Sequence, residues 1–293
     1  MRESLSFDDV LIVPQYSDIQ SRSEIDIAND LSSDMKLDLP VISSPMDSVT
    51  EAAMAKAMST NGGIGIIHRY NTIERQAMLV KKCSERNHNV GAAIGVTGDY
   101  LDRACALWDV GVKVLCVDVA HGHHALMRDA LQVLRNTFGD ALHIMAGNVA
   151  TLQAFNDLSD WGANSIRVGI GGGSICSTRV QTGHGVPTLQ SIMDCANSDR
   201  DTKIIADGGI KNSGDIVKAY AAGADFVMIG SMLAGTTETP GDIMYEQTRG
   251  QDPVRIKVYR GMASEEAQKN WRGKSSSIEG VATTIPYKGH VGK

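Results

Sequence analysis

The chain has 293 residues, 42% hydrophobic and 21% charged, with a formal net charge of −6 and a pI near 5.7. That length supports one large α/β domain or two small ones, and the acidic balance argues against a nucleic-acid partner while leaving local phosphate binding through backbone amides open. Five cysteines (Cys83, Cys105, Cys116, Cys176 and Cys195) with no C-x-x-C pair argue against a disulfide framework and a structural zinc site, and the start carries no apolar leader-like run, so a cytoplasmic protein without membrane segments is expected.

Short apolar runs alternate with amphipathic stretches along the chain. The runs cover residues 40–44, 64–68, 91–95, 112–118, 143–147, 165–169, 203–207 and 225–230. Each is bounded by turn residues, which suits buried parallel strands. Helical patterns fall between them at 50–59, 72–86, 100–109, 124–138, 151–161, 188–197 and 213–222. Gly62, Gly111, Gly162 and Gly223 follow four of them, as glycine does at helix C-termini. Eight βα-like units of this size predict a (β/α)8 barrel in a single domain.

Polar and glycine-rich tracts follow the predicted strands: Met46-Asp47, His68-Arg69, residues 118–124, Gly147-Asn148, residues 169–179, Asp207-Gly-Gly and Gly230-Ser231. A barrel gathers all of them on one face, where active sites are built. The densest is Gly169-Ile-Gly-Gly-Gly-Ser-Ile-Cys-Ser-Thr-Arg, which sets Cys176 in a tight turn beside Ser174, Thr178 and Arg179. Local sequence permits an activated thiol or a buried structural cysteine. No final barrel helix is visible after the eighth run. Residues 232–293 read as an irregular segment with a short flap.

Several tracts together resemble the IMP dehydrogenase / GMP reductase family over nearly the whole chain. They are Leu5-Ser-Phe-Asp-Asp-Val-Leu-Ile-Val-Pro, Ser44-Pro-Met-Asp-Ser-Val-Thr, Asp118-Val-Ala-His-Gly-His, Ala146-Gly-Asn-Val-Ala-Thr, the cysteine loop, Ile205-Ala-Asp-Gly-Gly-Ile, Val227-Met-Ile-Gly-Ser and Tyr259-Arg-Gly-Met-Ala-Ser. The resemblance implies a (β/α)8 barrel whose cysteine adds to C2 of a purine mononucleotide. It implies Cys176 as nucleophile, with Thr178 and Glu279 handling the proton of water or ammonia. Ser174, Asp207, Gly209, Gly230, Ser231, Tyr259, Gly261 and Met262 would bind the nucleotide. Asp118, Asn148 and Met46 would face the dinucleotide cofactor. Backbone carbonyls of Gly171, Gly173 and Cys176 would hold K+, and the family forms homotetramers. One departure is Gly172, where the family's loop carries proline; glycine there predicts a looser loop, by about 1 kcal/mol. Ser177 stands where threonine is usual, which keeps the hydroxyl.

The two activities of the family differ in accessory parts. Residues 82–90 connect the second helical pattern to the third strand directly, leaving no room for an inserted regulatory module. Between Ser264 and Glu279 there is no adjacent Arg-Tyr pair of the kind dehydrogenases use to activate water. Ser44-Pro-Met-Asp-Ser and Ile64-Gly-Ile-Ile-His look more like the dehydrogenase branch. The machinery points to GMP reductase with NADPH as reductant. The alternatives are an IMP dehydrogenase using NAD with a shortened flap, and a purine-nucleotide-binding protein without turnover. His121, His123 and His124 lack partners at metal-ligand spacing. Trp271 and Arg272 suit either stacking on a purine or packing a surface loop.

Overall fold

The computed structural model describes residues 3–86, 88–247, 252–276 and 278–292. A short hairpin comes first, β1 (Asn29–Ser32) and β2 (Met35–Leu37). Then β3 (Val41–Ser43), α1 (Ala52–Thr60), β4 (Ile64–Ile67), α2 (Ile73–Ser84), β5 (Val90–Ile94), α3 (Tyr100–Asp109), β6 (Val114–Asp118), α4 (Ala125–Phe138) and β7 (His143–Val149) alternate. The alternation continues through α5 (Leu152–Asp160), β8 (Ser165–Val168), α6 (Thr178–Thr182), α7 (Thr188–Cys195), β9 (Lys203–Asp207), α8 (Ser213–Ala221) and β10 (Phe226–Ile229).

Strands β3 to β10 form a closed parallel barrel, sealed where Val227 pairs with Val41 and Ile229 with Ser43. Alternation along each strand explains the two cores. Ile64 and Ile66 of β4 point inward and meet Ile42, Ala93, Val114, Cys116, Met145, Ile205, Phe226 and Met228. Ile67 points outward, into the layer that packs strands against helices. The β1–β2 hairpin inserts Leu31, Met35 and Leu37 into the inner cluster and plugs the N-terminal mouth. Burying these side chains stabilises the barrel by roughly 1.5–3 kcal/mol each. Helix starts obey capping chemistry: Thr72, Thr151 and Asn212 each accept a backbone N–H three residues on.

The closing seam differs from a regular barrel. Among the described residues no helix follows β10 before Ser264. Turns at 231–240 cover the seam, burying Leu233 and Ala234, and the chain end returns to them through Thr237 N–H to the Gly289 carbonyl at 2.8 Å. The segment after 232 is also more ordered than the sequence predicts. It holds a three-stranded antiparallel sheet of β11 (Met244–Glu246), β12 (Val254–Arg260) and β13 (Ala282–Pro286), with α9 (Glu265–Arg272) inside it. Its partners are far apart in sequence and its strands are largely exposed, so it carries no local apolar signature. Buried Lys257 pins the sheet to the barrel by donating to the Thr236 and Thr239 carbonyls at 3.2 and 2.6 Å. No helix among the described residues is long and apolar enough to cross a membrane.

Candidate active site

A cavity of about 430 Å³ opens at the C-terminal ends of the barrel strands. It is lined by Ser44 and Met46 after β3, Arg69 and Tyr70 after β4, Asp118 at the end of β6, Asn148 near the end of β7, residues 169–176 after β8, Asp207 and Gly209 from β9, and Gly230 and Ser231 after β10. Thr178, Tyr259, Gly261, Met262 and Glu279 complete the wall. Every residue to which the resemblance gives a catalytic, nucleotide, cofactor or K+ role therefore lies on one cavity, while His121, His123, His124, Trp271 and Arg272 do not line it. The volume is within the range that small-molecule sites use.

The thiol sits at the head of a relay. Cys176 Sγ donates to Thr178 Oγ1 at 3.2 Å, and Thr178 Oγ1 donates to Glu279 Oε2 at 2.9 Å. A proton leaving the sulfur thus has a direct path to a carboxylate. Backbone contacts bring Glu279 there. Ser177 N–H donates to the Glu279 carbonyl at 3.0 Å, Val281 N–H to the Ile175 carbonyl at 3.0 Å, and Gly280 bridges Cys176 and Ser264. Cys83, Cys116 and Cys195 are set apart by burial, which pushes the Cys116 and Cys195 thiols up to about 12.

The loop geometry explains its glycines. Gly169 has φ +146°, and a Cβ there would lie 2.0 Å from the Asp207 carbonyl oxygen. Gly172 makes a close approach of its own. A Cβ at 172 would lie 2.3 Å from Thr188 Oγ1, so the first residue of α7 fills the space a side chain would need. Position 172 is thus a close packing contact and not simply a loosened point in the loop. Thr188 Oγ1 is buried without a hydrogen-bond partner.

An ion-pair network underlies the cavity floor. Arg167, at the third position of β8, is buried between two carboxylates. Its Nε and Nη2 donate to Asp207 Oδ2 at 3.0 and 2.8 Å, and its Nη1 donates to Asp118 Oδ1 at 2.5 Å. Asn148 Nδ2 also donates to Asp207 Oδ2 at 2.8 Å. With Oδ2 carrying these three bonds, Oδ1 remains the Asp207 atom to face a ligand. Burial opposes the charge on Arg167, but the Asp207 and Asp118 carboxylates outweigh it and hold its pKa well above the ordinary value. Sequence reasoning passed over Arg167, although an arginine in the middle of an otherwise apolar strand was a signal.

Ser44 was also passed over as a ligand. Its hydroxyl is buried and unpartnered, and it lies 2.8 Å from where a Cβ on Gly230 would stand. A free hydroxyl beside a bare backbone, with Ser231 next to it and Tyr259 OH 3.5 Å from Ser174 Oγ, is the donor set an anionic oxygen requires. Burial raises the Tyr259 pKa, which keeps the phenol a donor. The three histidines are occupied locally: His123 Nε2 meets Asp157 at 2.7 Å, and His124 caps α4 by accepting from Leu126 N–H at 3.1 Å. His121 faces His123 edge-on at 6.5 Å.

Residues 4–293 match the family model described as the IMP dehydrogenase / GMP reductase domain. The chain belongs to the IMP dehydrogenase / GMP reductase family. Its fold is that of a GMP reductase from Trypanosoma brucei, a cysteine-to-alanine variant solved in complex with guanosine 5'-monophosphate, with a TM-score of 0.92 and 29% identity over 100% of this chain and 89% of that one. Among relatives, an inosine-5'-monophosphate dehydrogenase of Nitrosopumilus maritimus is 33% identical over 428 residues, covering 99% of this chain and 89% of its own. A GMP reductase of Leishmania major is 31% identical over 433 residues, covering 98% and 87%. Family membership makes the chain an oxidoreductase of purine nucleotides. Both alignments are much longer than the 293-residue chain, so both relatives carry a long stretch with no counterpart here. The missing stretch therefore does not separate reductase from dehydrogenase.

Proposed function

We propose that the protein is a GMP reductase, converting GMP to IMP and ammonia with NADPH. The observation that carries this reading is the 264–279 connection, which delivers Glu279 to the thiol relay and contains no Arg-Tyr pair to activate water. In the proposed reaction the Cys176 proton passes through Thr178 toward Glu279, and the sulfur bonds to C2 of GMP. The 2-amino group takes a proton from the same relay and leaves as ammonia, with C2 still bonded to sulfur. NADPH supplies the hydride that replaces the amino group at C2. The sulfur departs with the bonding pair, restoring Cys176 and giving IMP.

The remaining roles follow from placement. Asp207 accepts from the ribose hydroxyls through its free oxygen. Ser44, Ser174, Gly209, Gly230 and Ser231 take the phosphate, and Tyr259, Gly261 and Met262 line the nucleotide's pocket. Asp118, Asn148 and Met46 are assigned to the cofactor side. For K+, the Gly173 carbonyl accepts from Cys176 N–H at 3.2 Å and retains a second lone pair, so it can serve as a ligand with the Gly171 and Cys176 carbonyls. A homotetramer in the cytoplasm is part of the same proposal. The arm of residues 10–27 supports assembly, because Leu11 and Tyr16 are 87% and 94% exposed, as are most apolar side chains near them.

The test is purified protein with K+, given GMP plus NADPH or IMP plus NAD. Oxidation of NADPH that needs GMP and is lost in Cys176→Ala supports the reading. NADH formation from IMP alone overturns it in favour of the dehydrogenase, whose framework tracts at residues 44–48 and 64–68 this chain resembles. Binding of either nucleotide without turnover would leave a binding protein.

A further inference from the structure

Trp271, the penultimate residue of α9, stacks on Tyr70, with ring centroids 5.9 Å apart and planes inclined by 11°. Tyr70 follows β4, the second barrel strand, and lines the cavity. The Arg69 guanidinium lies 5.6 Å from the opposite partner of that stack, the Tyr70 ring, and Arg69 Nε is 3.7 Å from Asp118. The cysteine loop follows β8, the sixth strand. In the order β3 to β10 these two strands are separated by four steps in either direction, so their loops face each other across the barrel mouth. Residues 264–276 and 278–280 are bound to both loops. One end is stitched to Ile175, Cys176 and Ser177 through the backbone contacts described above, and Trp271 reaches the other side.

The parts between are mechanically linked. Gln268 is buried in α9; its Nε2 donates to the Ala263 carbonyl at 3.1 Å and its Oε1 accepts from Ser276 N–H at 2.8 Å. A shift of the helix is therefore transmitted to the return chain that carries Glu279. The root of the helix is held separately, where Arg260 meets Glu266 at 3.7 Å and Asp47 at 2.7 Å.

We infer that Tyr70 and Trp271 form an aromatic clasp that holds α9 across the mouth and sets Glu279 against Thr178, making Trp271 a positioning residue for the proton relay. The role of the relay rests on the proposed function; the clasp itself does not. Stacked aromatic pairs shift a closed–open equilibrium by about 2- to 10-fold. A nucleotide must pass this strap to reach Cys176, and a small thiol reagent passes more easily than a large one.

The test compares alkylation of Cys176 by N-ethylmaleimide and by fluorescein maleimide in the ligand-free protein, read on the Cys176 peptide by mass spectrometry. Both reagents need the thiolate, so the ratio of large to small reports the mouth and not the ionisation of sulfur. Trp271→Ala should raise that ratio about 2- to 10-fold and lower kcat. Trp271→Phe, which keeps a ring, should restore both. Trp271→Leu keeps bulk without a ring and should behave like the alanine variant, which serves if Trp271→Ala does not fold. An unchanged ratio in the alanine and leucine variants, or a phenylalanine variant as open as leucine, overturns the clasp. If the wild type turns over neither purine pair, the functional reading fails while the reagent ratio still decides the clasp.

Discussion

Replacing Arg167 with methionine removes the one cation that neutralises two carboxylates on the cavity floor. The guanidinium is 8% exposed, and Asp118 and Asp207 are 18% and 15% exposed. At 2.8 Å and an effective dielectric near 20, each contact carries roughly 6 kcal/mol of Coulomb attraction before desolvation is subtracted. Removing one partner of such a buried pair costs about 3–5 kcal/mol, because the other charge stays behind uncompensated. Here the low end applies, about 3 kcal/mol, since Asp207 keeps its bond from Asn148 and Asp118 keeps Arg69 at 3.7 Å. The variant should also hold the Asp207 carboxylate less firmly in place, since two of the three bonds to its Oδ2 come from Arg167, so GMP affinity should fall. Urea unfolding with and without GMP measures both effects. A variant within 1 kcal/mol (roughly the size of an ordinary surface change) of wild type, binding GMP with the same affinity, would refute the account of the network.

Glu279→Gln keeps an acceptor for Thr178 and removes the proton store, so ammonia release in a single turnover should slow by about 10²- to 10⁴-fold while GMP still binds; unchanged release would remove Glu279 from the relay. Burial lowers the His143 pKa from 6.5 to about 4. The folded state therefore refuses a proton that the unfolded chain accepts, so this stability is present above pH 6.5 and is lost as pH falls through the window toward 4. Over the whole window the loss is about 3 kcal/mol, and His143→Gln should flatten the pH dependence of the urea midpoint relative to wild type. Gly172→Ala should cost about 1–3 kcal/mol through its contact with Thr188. Adding Thr188→Ala should recover most of that in a thermal-unfolding double-mutant cycle, and simple additivity would discount the contact.

The barrel was legible because its strands are local objects. Short apolar runs ending in turn residues mark β3 to β10 to within a few positions, and their number and spacing imply closure. Seven of the eight helices between them were legible from their period and boundary residues; the five-residue α6 lies within the cysteine loop and is too short to show a period. The β1–β2 plug, the 244–286 sheet and α9 were not: β1, β2 and β11 are only three or four residues long, the sheet pairs strands distant in sequence, and α9 is eight residues long with half of them charged. Gly172 misled for a related reason: a glycine's permissiveness is visible in sequence, while the Thr188 hydroxyl that occupies its side-chain space is not.

The sequence by itself determined that the candidate reactive groups, Cys176 and Thr178, lie two residues apart in one glycine-rich loop. Only the tertiary structure decided their partners. Closure of the barrel brings Arg167 onto Asp118 and Asp207, 49 and 40 residues away, and the appended sheet returns Glu279 to Thr178 across 101 residues. Hydrogen bonds and ion pairs act over a few ångströms, so chemistry of this kind is set by which loops the fold makes neighbours and not by spacing along the chain.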